Sequence, residues 1–422
     1  MKIRRLRWWI GALLAAAIAL SYLDRQSFPV TVSAIEKEIP LAEDDLAFMN
    51  AVFLLAYGLM YAGGGRIMDW LGTRVSYAMM IVMWSAANFA IGTVHSVLGL
   101  GVCRFLLGVG EGGGFPGSGK AVAEWFPPRE RSLAFGLFNA GSGLGAVVIN
   151  PVTAFVIGNL GWRWVFYLTG GLGFLWAAAW LYFYQTPDQS RRITVEERDL
   201  IRNSLPPAGT VEKIPWLRLF SYRPVWGLMI AKLLTDSAWF FFIFWLPIYL
   251  NKARGFNIKQ IGYYGWVPFA FAAVGAFLGG ALGTQLIRRG YSIDRSRKTA
   301  LFLSAALMPA ALLIVPSPVS LAIVFYSLAL FGHQFWSANV QTLAADLFPS
   351  RMVGSVEGLL GSAGALGAAL FNALVGWLVK RHGYSIPFLI AGIVHPISFV
   401  VILLLVRRIE PLLAKEAPRA PA

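Results

Sequence analysis

The sequence predicts an all-α polytopic membrane protein, twelve transmembrane helices in two pseudo-symmetric six-helix bundles, and three observations carry that prediction. First, 57% of the 422 residues are hydrophobic and only 14% are charged, with a mean hydropathy of +0.62. That balance excludes an ordinary soluble enzyme of this length. Second, apolar stretches of about 20 residues recur along the chain, each long enough to cross a bilayer. Third, the chain repeats itself: AEWFPPRERSLAFGLFNAGSGLGAVVINP, from Ala123 to Pro151, aligns without a gap to ADLFPSRMVGSVEGLLGSAGALGAALFNA, from Ala345 to Ala373. A repeat of whole six-helix halves is a transporter signature, with the substrate site expected at the repeat interface near the bilayer midplane.

The first helix is expected near residues 8–31. Its start, MKIRRLRWWIGALLAAAIAL, has the charges and apolar run of a signal peptide. The run continues through Asp24 and Arg25 to Pro29, however, and further spans follow, so it reads as a retained first helix. The first half continues near 46–68, 75–95, 97–120, 132–157 and 162–184. The second half lies near 224–250, 259–287, 299–316, 318–346, 354–379 and 384–406. The expected organisation is a bundle over 1–184, a cytoplasmic central loop over 185–223, a second bundle over 224–407, and a disordered cytoplasmic tail over 408–422. Within the loop, ITVEERDLIR reads equally as a short amphipathic helix or a solvated linker.

A formal charge of +15 is compatible with nucleic-acid binding, but the basic residues cluster in short loops between apolar spans, as topology signals do. With the amino terminus inside, the inner loops carry about 25 Lys and Arg and the outer loops about 7. That asymmetry places both termini in the cytoplasm and makes the lipid bilayer, not nucleic acid, the surrounding partner of an expected monomer. The single cysteine, Cys103, lies in an apolar stretch, excludes an internal disulfide and reads as packing.

Charged residues at membrane depth are the candidate functional groups, because each costs several kcal/mol unless it pairs or faces water. RFLLGVGEGGGFPGSGK, from Arg104 to Lys120, places Arg104, Gly108 and Glu111 on one helical face, the two charges about 10 Å apart along the axis. Its glycines satisfy G-x-G-x-x-G and most of a phosphate loop. No strand precedes either motif, however, and Ala121 stands where Ser or Thr would hold magnesium. Small residues at Gly108/Gly112 and Gly110/Gly114 instead suit close helix packing, with Pro116 bending or interrupting the helix.

The first helix carries Asp24 beside Arg25, which reads either as a self-neutralising structural pair or as part of substrate and proton handling. Asn50, Tyr57 and Tyr61 share one face of helix 2, and Gln334, Ser337 and Gln341 one face of helix 10; each stripe reads equally as substrate contact or interhelical bonding. Lys232 and Asp236 are spaced for an intrahelical ion pair. His333 falls opposite Glu111 in the repeat, and Asn372 opposite Asn150; a packing role for His333 stands against a site or proton-relay role. Four scattered histidines give no metal-ligand spacing, and no nucleophile stands with a base, so neither an enzyme nor a metal site is expected.

The loop GRIMDWLGTR, with Gly65, Asp69, Gly72 and Arg74, resembles the helix 2 to 3 signature of the major facilitator superfamily. Tyr22-Leu-Asp24-Arg25, the Arg104 to Glu111 spacing and Glu124-Trp-Phe-Pro-Pro-Arg-Glu-Arg-Ser132 together resemble its anion:cation symporter family. Ser237-Ala-Trp239, Trp245-Leu-Pro247, Ser296-Arg-Lys298 and Gly332-His-Gln334 look closest to the hexuronate branch, while the Asp24-Arg25 pair looks more like the galactonate and sialin pattern. The resemblance spans nearly the whole chain. It implies the major facilitator fold and proton-driven uptake of a sugar acid across the bacterial inner membrane, with protons as coupling ion and no other cofactor.

Residue by residue, the resemblance implies Arg25 as carboxylate clamp, Tyr57 as substrate contact, Asp24 and Glu111 as proton carriers, and Arg104 as modulator of Glu111 and part of the substrate site. Asp69 and Arg74 would act as a gate latch. Gln334, Ser337 and Asn372 are the expected partners of sugar hydroxyls. An organic anion exchanger or exporter of the same fold is the alternative, and a membrane receptor that binds a sugar acid without moving it is the alternative of another class.

Overall fold

The computed structural model describes residues 2–204, 219–348 and 350–410. Among them the regular elements are helices, apart from an isolated bridge between Ile3 and Ile193. The first half runs α1 (Leu6–Ile35), α2 (Glu43–Leu71), α3 (Thr73–Ile91), α4 (Val97–Gly112), α5 (Gly114–Trp125), α6 (Pro128–Leu160) and α7 (Trp162–Phe183). After α8 (Val195–Ser204) come α9 (Arg223–Lys252), α10 (Ile258–Tyr264), α11 (Val267–Arg288), α12 (Ile293–Leu307), α13 (Val319–Leu347), α14 (Ser350–His382) and α15 (Ser385–Leu405). Among the described residues, ten stretches of this path are long and apolar enough to cross a membrane. α3, and α12 extended by the 3-10 turn Met308–Leu313, are not among these ten; counted with them they give the twelve helices expected from the sequence.

Two expected spans are broken helices. The fourth breaks at Gly113 between α4 and α5, and the eighth between α10 and α11. Pro116 falls in the first turn of α5, where a missing N–H costs no helical bond. The interruption therefore precedes the proline. α1 continues through Pro29, which has no N–H to give the Arg25 carbonyl, so the backbone is loosened at the turn that carries Asp24 and Arg25.

ITVEERDLIR is helical from Val195 onward, and its Glu197 is buried. The Glu197 carboxylate accepts the Leu6 and Arg7 backbone N–H groups at 2.9 and 3.2 Å and pairs with the Arg7 guanidinium at 2.6 Å. Arg5 offers no side-chain cap, so a residue from the central loop satisfies the first turn of α1. Residues 205–218 of the expected loop and 411–422 of the expected tail lie outside the described residues.

By their internal contacts the residues form two units. The first comprises Met1–Thr210, Ile243–Trp266 and Asn372–Trp377; the second comprises Val211–Phe242, Val267–Phe371 and Leu378–Ala422. In the first unit, the acidic segment after α1 meets a cation of α9: Lys252 Nζ lies 2.7 Å from Glu36 and 3.0 Å from Glu43. Glu38 on the same segment pairs with Arg163 and accepts from Trp162 Nε1 at 3.1 Å; the guanidinium holds its carboxyl below the usual carboxylate range. The α2–α3 turn is closed by Gly72, whose φ of 78° is a conformation glycine adopts without strain.

The glycines of α4 work as packing surfaces. A β-carbon on Gly108 would lie 2.3 Å from the Phe53 carbonyl oxygen, and one on Gly112 2.5 Å from that of Tyr57, so this face lies directly against α2. Gly110 faces α3, where a β-carbon would meet Trp84 at 2.6 Å. The repeat uses the same device in both halves: Gly145 of α6 sits on the Ala19 carbonyl of α1, and Gly367 of α14 on the Leu233 carbonyl of α9. Gly108→Leu is therefore expected to destabilise the protein by about 1–3 kcal/mol or more. Gly171→Leu, with nothing within 4 Å of its β-carbon, is expected to leave stability nearly unchanged. Thermal unfolding in detergent compares the two, and an equal response would mean that close packing of α4 on α2 is dispensable.

Candidate functional site

Arg25 and Glu111 meet inside the first unit. Both are about 1% exposed, and Arg25 Nε and one terminal NH2 donate to the same oxygen, Glu111 Oε2, at 3.0 and 2.7 Å. The other oxygen, Oε1, is buried without a hydrogen bond. Aromatic faces surround the guanidinium, with Tyr22 and Tyr57 each 4.8 Å and Phe53 5.6 Å from its carbon. A desolvated cation among ring faces gains from their quadrupoles, which offsets part of the cost of leaving water.

Asp24 does not neutralise its neighbour. Successive helical residues point about 100° apart, and Asp24 turns from α4 toward α3, where Asn88 Nδ2 donates to its Oδ1 at 2.7 Å. The same amide nitrogen donates to Thr169 Oγ1 of α7 at 2.7 Å, so three helices share one polar knot. Asp24 Oδ2 is buried without a hydrogen bond. The self-neutralising reading of the pair is thus replaced by two separate arrangements on adjacent faces of α1.

Arg104 is fully buried and makes no ion pair among the described residues. One terminal nitrogen donates to Asn50 Oδ1 at 3.2 Å, while Nε and the other terminal nitrogen have no hydrogen bond. Phe53, Phe28 and Phe244 lie 4.4, 5.2 and 5.3 Å from its guanidinium carbon. Although Arg104 and Glu111 share a helical face, the carboxylate bonds across to α1. The site therefore has two arginines, one paired and one held chiefly by an amide and aromatic rings.

The remaining expected residues separate. Tyr57 stacks beside Arg25. Asn372 accepts Trp245 Nε1 at 3.0 Å within the first unit. Arg74 donates to the Leu181 carbonyl at the end of α7, and the side chain of Asp69 lies outside the described residues. In the second unit, Gln334 is half-buried and Ser337 accepts a long bond from Gln341 at 3.4 Å. Lys232 and Asp236 form the intrahelical pair their spacing predicts, at 2.7 Å, against Gly364 of α14. Asn88, Thr169, Phe28 and Phe244 were not anticipated. The isolated amide of Asn88 in apolar helix 3 was a legible signal; the rings carry none, since phenylalanine is unremarkable in a membrane helix.

The described residues hold no group of three His, Cys, Asp or Glu side chains able to bind a metal. Buried arginines and carboxyl groups within a bundle of membrane spans are the kind of groups that mark a transport pathway. The Major Facilitator Superfamily profile matches residues 14–371 and, in a second match, 284–422. This chain belongs to the Major Facilitator Superfamily.

Within the superfamily the chain is 33% identical over 408 residues to the hexuronate transporter of Escherichia coli (strain K12), covering 95% of this chain and 94% of that one. It is 28% identical over 424 residues to the D-galactonate transporter of Escherichia coli O6:H1, covering 96% and 97%. The fold matches the inward-open xylose transporter of E. coli with a TM-score of 0.73 at 14% identity, over 97% and 99% of the two chains. It also matches a bacterial homologue of the human lysosomal transporter Spinster at 0.71 and 18%, over 96% of each. This superfamily member is thus a multi-pass transporter of small molecules related to sugar-acid carriers, not an enzyme.

Breaking the buried pair from one side should be costly. Arg25→Gln leaves Glu111 buried without its cation, and Glu111→Gln leaves Arg25 without its carboxylate; each is expected to cost about 3–5 kcal/mol where the remaining group stays charged. The double variant should recover much of the loss, read as a coupling in thermal unfolding. Additive losses would show that the two residues act on stability independently.

Proposed function

We propose that this chain is a proton-coupled symporter that imports a sugar acid, a hexuronate or aldonate-type anion, across the bacterial inner membrane by alternating access, with both termini in the cytoplasm. The observation that carries the reading is the buried Arg25–Glu111 pair. Arg25 has one fork, and two carboxylates compete for it: Glu111 and the carboxylate of the substrate. A proton on Glu111 removes its charge and releases the guanidinium to the anion; loss of that proton restores the internal pair and expels the anion. Proton and anion then bind together and leave together, which is the requirement for symport.

Arg104 adds a second positive charge to the anion site, and Tyr57 lines the Arg25 side of it. Asp24, tied through Asn88 to Thr169, serves as the other proton carrier. Gln334, Ser337 and Asn372 are assigned to sugar hydroxyls on their polarity and helical register, and Asp69 and Arg74 to the gate between helices 2 and 3. The same proposal includes bundles over 1–184 and 224–407, joined by a cytoplasmic loop over 185–223 and followed by a cytoplasmic tail over 408–422. Similarity to the hexuronate and D-galactonate transporters supports the substrate class.

In proteoliposomes, an inward proton gradient is expected to drive accumulation of labelled glucuronate, galacturonate or galactonate above equilibrium. Uptake indifferent to the gradient would leave an exchanger or exporter, and binding without flux a receptor. Glu111→Gln should lose accumulation while keeping exchange, because the glutamine side chain does not titrate. Arg25→Lys should lose at least about tenfold in affinity, since a point charge cannot reproduce the bidentate fork; affinity within twofold of the parent would place the clamp elsewhere.

A further inference from the structure

His333 is the central residue of α13, in the second unit, and its ring is held on two sides. Trp239 of α9 lies parallel to it, with centroids 4.8 Å apart and planes at 10°. His395 of α15 meets it edge-on, with His333 Nδ1 3.0 Å from His395 Nε2. The two histidines are 2% and 0% exposed, and Trp336 closes over His395 at 5.5 Å. His395 Nδ1 is buried without a hydrogen-bond partner.

That unpartnered nitrogen selects the tautomers. If His333 Nδ1 donated, His395 Nε2 would be bare and His395 Nδ1 would carry a buried N–H with no acceptor. Charging His395 leaves the same N–H. A buried donor without an acceptor is heavily penalised, whereas both nitrogens are satisfied or bare when His395 donates from Nε2. His333 Nδ1 is then the acceptor, and the proton of the neutral His333 ring resides on Nε2. Nε2 is not among the buried atoms lacking a partner, and it makes no hydrogen bond among the described residues. The accessible edge of this nearly buried ring is therefore an N–H donor. Trp239 covers a face of the ring and the residue is only 2% exposed, so what remains accessible is the edge that carries Nε2.

We propose that His333 Nε2–H donates a hydrogen bond to an oxygen of the transported acid, and that His395 is a positioning residue that fixes the donor tautomer. This rests on the sugar-acid reading above and adds to it a specificity group from the second half of the chain. A protonated Nε2 is unsuited to a metal, which needs a bare imidazole nitrogen. A proton relay through the dyad would require the unaccommodated N–H at His395 Nδ1. The charged group that acts on His333 is Lys232 of α9, which pairs with Asp236 on the helix that also carries Trp239 and also interacts with Glu357 of α14.

The chain has four histidines, few enough for nitrogen NMR on histidine-labelled protein in nanodiscs, with His333→Gln and His395→Gln assigning the signals. Both rings are expected as Nε2–H tautomers, and galacturonate or galactonate should move the His333 Nε2 signal. Titration calorimetry should show about a three- to tenfold loss of affinity for His333→Phe and His395→Leu. His333→Gln and His395→Gln, whose amide nitrogens stand in for Nε2, should stay within about twofold. An Nδ1–H tautomer at His333 overturns the proposal. So does unchanged affinity of His333→Phe in a protein that binds the acid, and there the sugar-acid reading survives. If the parent protein binds none of these acids, both readings fall, whatever the tautomers.

Discussion

Two ions inside a bilayer protein need each other, and the Arg25–Glu111 bond is the constraint around which the first unit is arranged. Neither group has water to fall back on, and the pair repays its desolvation only because both guanidinium donors reach one oxygen at hydrogen-bond distance. The bond joins α1 to α4, and the surrounding helices bring polar or π-rich groups to the same region. Asn88 and Thr169 take Asp24 away from the pair, and aromatic rings cradle the second arginine. On the symport proposal a site assembled this way is poised, because one proton on Glu111 would change which anion Arg25 prefers.

Bringing Glu111 to Arg25 makes demands on the backbone. Gly108 and Gly112 let α4 lie against the carbonyls of α2, and Gly110 lets α3 lie against the opposite side, so that the helix carrying Glu111 sits close to its neighbours. Larger residues there would push α4 outward and lengthen the ionic bond. What resembles a phosphate loop in the sequence is thus a packing surface. The break at Gly113 and the loosened turn above Pro29 lie close in sequence to the charged residues, as expected where irregular backbone is buried in protein.

The two halves repeat their scaffold but not their chemistry. Gly145 and Gly367 perform the same close approach in each half. The position of Glu111 in the repeat is nevertheless taken by His333, which bonds His395 in place of an arginine. Lys232, on α9 of the second half, finds its carboxylate one turn along its own helix.

The sequence by itself determined the number and order of the spans, the repeat, the charged residues at membrane depth and the packing role of the glycines, because these depend on apolar run length and helical period. It left open which charges meet. Arg104 and Glu111 share a helical face, and Asp24 and Arg25 are adjacent, yet Glu111 bonds Arg25 while Asp24 bonds Asn88. Partner choice depends on how helices cross and which faces they turn to one another, and no local period encodes that. For the same reason only the tertiary structure could set His395 beside His333 or bring Glu197 from the central loop to the first turn of α1.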